Sequence, residues 1–298
     1  GADGRLALPE SLVSDVVFEL LRRAVISIPR DVIRALEDAY AREKEYLAKS
    51  QLKVILKNIE MAEEQGLPVC QDTGIPSFII ELGSEVRVEG DLRRGIYRGV
   101  ERATKEVPLR SNVIHPFTKE NPGTNVGWCL PYIYFELKPG SGDLRIMAIP
   151  KGLGSEAKTA LYYVASSEPI MEAVAFCVLD AVKEASGEPC PPYILGVGIG
   201  GTGELAVLNS KKASLKRVGL RNRDPILEGL ELRLLEAVNK TGIGPMGLGG
   251  STTALDVHVE VCGSHTAATP VAVSFQCWAA RRAEAVIKPE GDVEYLEP

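Results

Sequence analysis

The sequence predicts an α+β fold: two closely packed lobes of mixed β-sheet with surrounding helices, the N-terminal region being helical. Three observations predict it. Apolar residues recur at helical spacing through most of residues 11–65, and short β-branched or alternating runs bounded by Gly, Pro, Asn and Asp follow. Helical and strand patterns then mix without the strict alternation of a parallel α/β sheet.

Residues 11–49 keep a helical period, with Ile28-Pro29-Arg30-Asp31 as break and restart because proline cannot continue a hydrogen-bonded helix. Residues 53–65 continue the pattern and stop at Gly66. Strands are expected at residues 78–82 and 85–88, then a helix over 92–107. Residues 131–137 and 144–149 read as a hairpin across Pro139-Gly140-Ser141-Gly142. Two helices are expected over 155–165 and 169–185, the second reaching a loop, Ser186-Gly187-Glu188-Pro189, that ends in Cys190. A strand over 193–197 leads into a glycine cluster and a helix from Glu204; further strands are expected at 256–261 and 271–275. From Lys288 the tail is polar and is expected to fray.

At 298 residues, 45% apolar and 25% charged, the chain has the balance of an ordinary globular protein. Its net charge of -6 and scattered basic residues give no footprint for nucleic acid, so a small-molecule or protein partner is expected. No apolar run approaches the roughly 18 to 20 residues that span a bilayer, and the start lacks a signal-peptide pattern; no membrane partner and a cytoplasmic location follow. In a reducing compartment the six cysteines serve packing, catalysis or metal binding rather than disulfides.

The chain has no CxxC pair and no His-x-x-x-His pair, so any metal site is assembled from distant segments. Cys177 lies in an apolar helix and reads as core, and Cys129 and Cys262, flanking strands, also read as packing residues. The other three differ. Pro68-Val69-Cys70-Gln71-Asp72-Thr73-Gly74, Pro189-Cys190-Pro191-Pro192 and Gln276-Cys277-Trp278 each look built to present a thiolate.

Gly198-Ile199-Gly200-Gly201-Thr202-Gly203 fits GxGxxG between a strand and a helix, the setting of a dinucleotide site. The acidic residue expected about 20 positions on should end a second strand, but residues 217–224 read as basic and turn-like, so a tight turn or small-anion nest is the preferred reading. The glycine-dense segment from Gly242 to Thr253 lets backbone approach a ligand, or packs two elements closely beside a cap. Pro150-Lys151-Gly152-Leu153-Gly154-Ser155-Glu156 opens a helix and could bind a carboxylate through its amides, and Arg110 suits bidentate carboxylate recognition or a surface ion pair. Of three histidines, His115 reads as a loop residue and His258 as a strand position. His265 sits in the small-residue loop Gly263-Ser264-His265-Thr266-Ala267, where it can exchange a proton near neutral pH.

Together these segments resemble the class I, iron-sulfur-dependent hydro-lyases, in the fumarate hydratase alpha-type region shared with L(+)-tartrate dehydratase alpha subunits. The motifs are CQDTG at Cys70, LRxxV at Arg110, KGxGSE at Lys151, CPPY and IGGT from Cys190 to Thr202, and GPMGLGG, LDVHVE, HTAATPVAV and QCWAARRA from Gly244 to Ala283. They run in the family's order over nearly the whole chain, so residues 1–298 are expected to form one alpha-type catalytic domain.

The resemblance implies a [4Fe-4S] cluster held by Cys70, Cys190 and Cys277, leaving one iron without a thiolate to act as Lewis acid on the substrate hydroxyl. It places Gln71, Arg110 and Gly154 as substrate-binding residues and Asp72 and His265 as catalytic ones, with Asp72 delivering a proton to the leaving hydroxyl. Asn121-Pro122-Gly123-Thr124-Asn125 and Leu153 depart from the family pattern and bear on substrate choice. Single-chain members continue into a second domain that supplies further Arg, Lys and a Thr base, so this chain resembles the alpha subunit of a hetero-oligomer needing a beta subunit. The implied reaction is reversible hydration of fumarate to S-malate, a small dicarboxylate. The alternatives are L(+)-tartrate dehydration, mesaconate hydration, a non-catalytic iron-sulfur scaffold and a nucleotide-binding oxidoreductase.

Overall fold

A computed structural model describes residues 7–107 and 109–296. The first elements are β1 (Leu8–Pro9), α1 (Glu10–Ile26), α2 (Arg30–Arg42), α3 (Tyr46–Gln65), β2 (Ile75–Gly83), β3 (Val88–Glu89) and α4 (Leu92–Glu106). Then come β4 (Tyr132–Lys138), β5 (Leu144–Lys151), α5 (Leu153–Glu156), β6 (Ala160–Ala165), α6 (Ile170–Ala185) and β7 (Tyr193–Ile199). The last are α7 (Gly203–Ser214), α8 (Pro225–Asn239), a 3-10 turn at Pro245–Gly247, β8 (Ala254–Val261), β9 (Ala268–Gln276), β10 (Ala283–Ile287) and β11 (Val293–Leu296). The mixed α+β class expected from the sequence is the class observed.

The chain divides into two compact units, one of Gly1–Pro29, Ile59–Gly152 and Arg281–Pro298, the other of Arg30–Asn58 and Leu153–Ala280. The first unit holds a five-stranded sheet in the order β11-β10-β5-β2-β4, where β2 and β4 run parallel and the other neighbours antiparallel. Strand β2 alternates buried Phe78 and Ile80 with half-exposed residues, as a sheet covered on one face requires. Helix α1 covers that face with Val17, Leu20 and Leu21, each contributing about 1.5–3 kcal/mol by leaving water. Helix α4 starts where the Asp91 carboxylate accepts the N–H groups of Arg93 and Arg94. It lies close to α1 because a Cβ on Gly99 would stand 2.7 Å from Ser14 O.

The second unit holds a four-stranded sheet in the order β6-β9-β7-β8, with β7 and β8 parallel and the other pairs antiparallel. Strand β7 is buried throughout, and its period of two divides its residues between two faces. Tyr193, Leu195 and Val197 pack with α6 and α8, while Gly196 and Gly198 face α7.

Five local expectations are corrected. The helical run through residue 49 breaks a second time at residues 43–45, where the Glu43 carboxylate accepts the N–H groups of Lys44 and Glu45. Strands β4 and β5 do not pair as a hairpin, because β2 lies between them. The connecting loop passes over the end of β2, where a Cβ on Gly83 would meet Ser141 O at 2.3 Å, so only glycine leaves room. Residues 84–87 turn back toward that loop instead of forming a strand, with Glu85 N–H on Ser141 O. The helix expected over 155–165 is four residues of α5 followed by strand β6, whose Tyr162, Tyr163 and Val164 favour a pleated sheet. The tail does not fray through residue 296, since β11 pairs with β10 over Val293–Leu296. Among the described residues no helix is long and apolar enough to cross a membrane.

Candidate functional site

In the first unit, Cys70, Gln71 and Asp72 lie on the loop that enters β2. Buried Thr73 accepts the Arg110 N–H at 2.9 Å, which ties this loop to residues 109–115 after α4. Asp72 Oδ1 accepts the Gly74 N–H at 3.1 Å and the Asn112 side-chain amide at 3.2 Å, and that amide also donates to Gly74 O. Asn112 is held in turn by buried Asn125, whose Oδ1 accepts the Asn112 N–H at 2.8 Å and whose amide donates to Arg110 O at 3.0 Å. Asn125 has a φ of 58°, a left-handed conformation that Asn tolerates better than most residues.

Arg281 closes the same loop from behind. It is 3% exposed, and its Nη1 donates to Asp72 O. A Cβ on Gly152 would stand 2.9 Å from Arg281 Nη2 and 3.0 Å from Asp72 Oδ2, so any side chain there would press on both a guanidinium and a carboxylate. Gly74, at φ 84°, approaches the Lys151 backbone so closely that a Cβ there would meet its carbonyl carbon at 2.6 Å. Cys70 and Asp72 are half-buried, while Gln71 and Arg110 are exposed. A loop so clamped presents a carboxylate, an amide and a thiol in fixed positions beside an exposed guanidinium.

In the second unit, Cys190 precedes β7 and Cys277 follows β9. The two strands are antiparallel, with Ile194 opposite Gln276, so both cysteines emerge at one end of the sheet. Trp278 N–H donates to Cys190 O at 3.2 Å, which ties the two loops together. Cys190 itself has a φ of 56°, uncommon for a residue with a side chain; such strain gathers at functional sites. Gly154 lies against the same loop, since a Cβ on it would stand 2.7 Å from Glu188 O.

His265 stands elsewhere. It is exposed on the loop between β8 and β9, and its Nδ1 accepts the Ala267 N–H at 3.1 Å, which leaves the ring proton of the neutral form on Nε2. That loop is fastened to the opposite end of the sheet by Gly201 N–H on Gly263 O. The end where Ile199 pairs with Val271 and Val261 is about 20 Å from Cys277 at the rise of a strand. The glycine cluster is consumed there in packing, a Cβ on Gly200 meeting Cys262 O at 2.2 Å, which favours the tight-turn reading over a nucleotide site.

The remaining cysteines and histidines separate from these groups. Cys177 is buried, and burial, then Asp180, pushes its thiol up, as fits a core residue. Cys129 is exposed at φ 69° and does not pack as expected; Cys262 is half-exposed and takes the Asn209 amide at 3.1 Å. His258 is fully buried on β8, and His115 is a loop residue whose Nδ1 accepts the Thr118 N–H.

The sequence-predicted Cys70, Gln71, Asp72 and Arg110 lie on or beside one loop, and the clamp on that loop made by Asn112, Asn125 and Arg281 was not foreseen. The signal for Asn125 was its turn-rich run, and for Arg281 its place four residues after Cys277. Among the described residues no disulfide forms, and no group of three or more His, Cys, Asp or Glu is gathered closely enough to hold a metal ion. Cys190 and Cys277 are half-exposed thiols at one end of the second unit's sheet, and Cys70 is a half-exposed thiol of the first unit; thiols are the donors an iron-sulfur cluster takes.

Residues 14–286 match the family described as Fumarate hydratase (Fumerase). A protein of Methanocaldococcus jannaschii, provisionally named L(+)-tartrate dehydratase subunit alpha, is 46% identical over 279 residues, 93% of this chain and 98% of its own length. The L(+)-tartrate dehydratase subunit alpha of Escherichia coli K12 is 31% identical over 284 residues, 95% of this chain and 93% of its own.

Proposed function

Because the chain belongs to the fumarate hydratase family, we propose that it is the alpha subunit of a two-subunit hydro-lyase that interconverts fumarate and S-malate. The observation that carries this reading is the clamped loop from Cys70 to Gly74, which fixes an Asp carboxylate two residues from a half-exposed thiol. The names of the relatives favour L(+)-tartrate as a second substrate reading, since S-malate and L(+)-tartrate are both dicarboxylates with a hydroxyl at C2. A beta subunit supplies the remaining substrate contacts and the base that takes the C3 proton. The whole described chain acts as one catalytic domain in the cytoplasm.

Cys70, Cys190 and Cys277 are assigned as ligands of a [4Fe-4S] cluster. When bound, the cluster supplies a Lewis acid that weakens the C2–O bond. Arg110 binds a substrate carboxylate in bidentate fashion, and the Gln71 amide and Gly154 N–H hydrogen-bond carboxylate oxygens. Asp72 delivers the proton that converts the departing hydroxide to water; Asn112 and Gly74 N–H hold its other oxygen still, so the acid needs no reorganisation. In hydration the same carboxylate takes that proton back from water.

His265 completes a substrate site by hydrogen-bonding a carboxylate or hydroxyl. It lies about 20 Å along the sheet from the cysteine pair of its own copy, a separation no side chain spans. It therefore serves a site to which a different chain brings the ligand cysteines.

The test is an anaerobic assay of the reconstituted chain with and without its beta partner, on fumarate, L(+)-tartrate and mesaconate. Water addition to fumarate that depends on both subunits is expected; turnover of tartrate alone would replace the substrate, and no turnover of any acid would leave a scaffold. Asp72→Asn with full cluster content is expected to lower kcat by about 100-fold or more, the usual worth of a positioned acid.

A further inference from the structure

Glu43 is a carboxylate that neither the fold class nor the reaction explains. It is 2% exposed in the turn between α2 and α3. Its Oε1 accepts the N–H groups of Lys44 at 2.9 Å and Glu45 at 3.0 Å, and its Oε2 accepts Ser251 N–H at 2.8 Å and Ser251 Oγ–H at 2.9 Å. A buried carboxylate is costly unless its lone pairs are satisfied, and here four donors converge on it. Burial pushes its proton affinity up, yet the N–H groups of Glu45 and Ser251, the Ser251 hydroxyl and Lys44 N–H together hold it below the usual carboxylate range.

Ser251 follows the glycine-dense loop, several of whose glycines are in close contact with their neighbours. A Cβ on Gly250, at φ 122°, would meet Ala48 Cβ at 2.6 Å and Glu43 Oε2 at 2.9 Å. A Cβ on Gly244, at φ 69°, would meet Gly249 O at 1.9 Å, so the loop folds back on itself with Gly249 N–H on Ile243 O. Its far side supports the loop of Cys190: Met246 N–H donates to Pro191 O at 2.8 Å, and a Cβ on Gly247 would stand 2.7 Å from Gly187 Cα. The path from Glu43 to the cysteine is thus Ser251, the closed glycine loop, then the backbone on both sides of Cys190. Beyond the Glu43 carboxylate and the Ser251 hydroxyl, every link in it is backbone.

We propose that Glu43 is a positioning residue whose carboxylate locks the glycine loop and, through it, the left-handed backbone that aims the Cys190 thiol. Glu43 matters in this way to catalysis because Cys190 is assigned above as a cluster ligand. The aim of the thiol is a property of the chain itself and is testable without the cluster.

The experiment measures alkylation of each cysteine by iodoacetamide in the reduced, metal-free full chain, resolved by peptide mass spectrometry, for wild type, Glu43→Gln and Glu43→Asp. Glu43→Gln replaces one acceptor oxygen by a donor and cannot satisfy both donor pairs. Expected is a change of at least threefold in the Cys190 rate with Cys70 unchanged, a smaller change in Glu43→Asp, and a parallel fall in iron bound per chain after reconstitution. Equal acceleration at all cysteines, including buried Cys177, would mean general loosening and would overturn the assignment, as would an unchanged Cys190 rate. Ser251→Ala, which removes one hydroxyl from the same carboxylate and leaves the backbone in place, is expected to give a weaker change of the same selectivity. A selective change at Cys190 without iron binding in wild type would uphold Glu43 and refute the cluster, so the two ideas fail separately.

Discussion

At the scale of residues, a glycine of the first unit lies against two charges. Gly152 has no side chain where a Cβ would press Arg281 Nη2 at 2.9 Å and Asp72 Oδ2 at 3.0 Å. Arg281 is 3% exposed and has little room to retreat, so in Gly152→Ala the carboxylate is the group that moves. The backbone there is not in a glycine-only region, and the fold is expected to survive. If Asp72 delivers the proton, its displacement costs about 10- to 100-fold in kcat with a smaller effect on KM, because geometry errors near 1 Å carry penalties of that size. Steady-state kinetics of the holoenzyme checks this, and an unchanged kcat would remove Asp72 from the proton path. The cysteines and Asp72 were legible in the sequence because their neighbours are odd company for a packed residue. Asn112, Asn125 and Arg281 were not, since each acts through a contact made only when segments 13 to more than 200 positions apart meet.

At the scale of elements, the glycines of β7 show how one motif supports two readings. In sequence Gly198 opens a run resembling a phosphate-binding turn, whereas in the fold it and Gly196 let helix α7 rest directly on the strand. A Cβ on Gly196 would stand 1.9 Å from Ser210 O and 2.4 Å from Ser214 N, both backbone atoms of that helix. Gly196→Ala must therefore shift α7 as a body, and a loss of about 3 kcal/mol or more is expected in urea unfolding, at or beyond the usual cost of overpacking. Gly229 in α8 has nothing within 4 Å of its Cβ position, so Gly229→Ala should instead stabilise by about 0.5–1 kcal/mol through helix propensity. Failure of that contrast would mean that α7 adapts as freely as a surface helix. The long helices and central strands were readable because burial imposes their period. The β4/β5 arrangement was not: a short loop rich in Gly normally signals a hairpin, and only the insertion of β2 between the strands forces them apart. Residues 160–165 were misread for a related reason, because the partner that makes them a strand, β9, lies more than 100 residues away.

At the scale of the whole molecule, the sheet of the second unit separates chemistry that the family pattern unites. Cys190 and Cys277 leave one end, His265 stands at the other, and seven buried residues of β7 lie between. A rigid strand cannot shorten, so if all three serve one substrate they come from different copies. Symmetric assemblies make this economical, because a two-fold axis brings the end of one sheet to the other end of its partner twice. The consequence can be measured by complementation. Cys190→Ser lacks a ligand but keeps His265, and His265→Asn keeps the cysteines; each, assembled alone with the beta subunit, is expected to be weak or inactive. Co-expressed, they form mixed pairs in which one site has both its cysteines and its histidine intact. With random pairing half the assemblies are mixed and half their sites are whole, so the preparation should recover about a quarter of the wild-type rate. Recovery no greater than the average of the two variants would place His265 in no shared site. A His265→Asn enzyme of full activity would remove the histidine from catalysis altogether, leaving Asp72 and the partner's groups to move both protons.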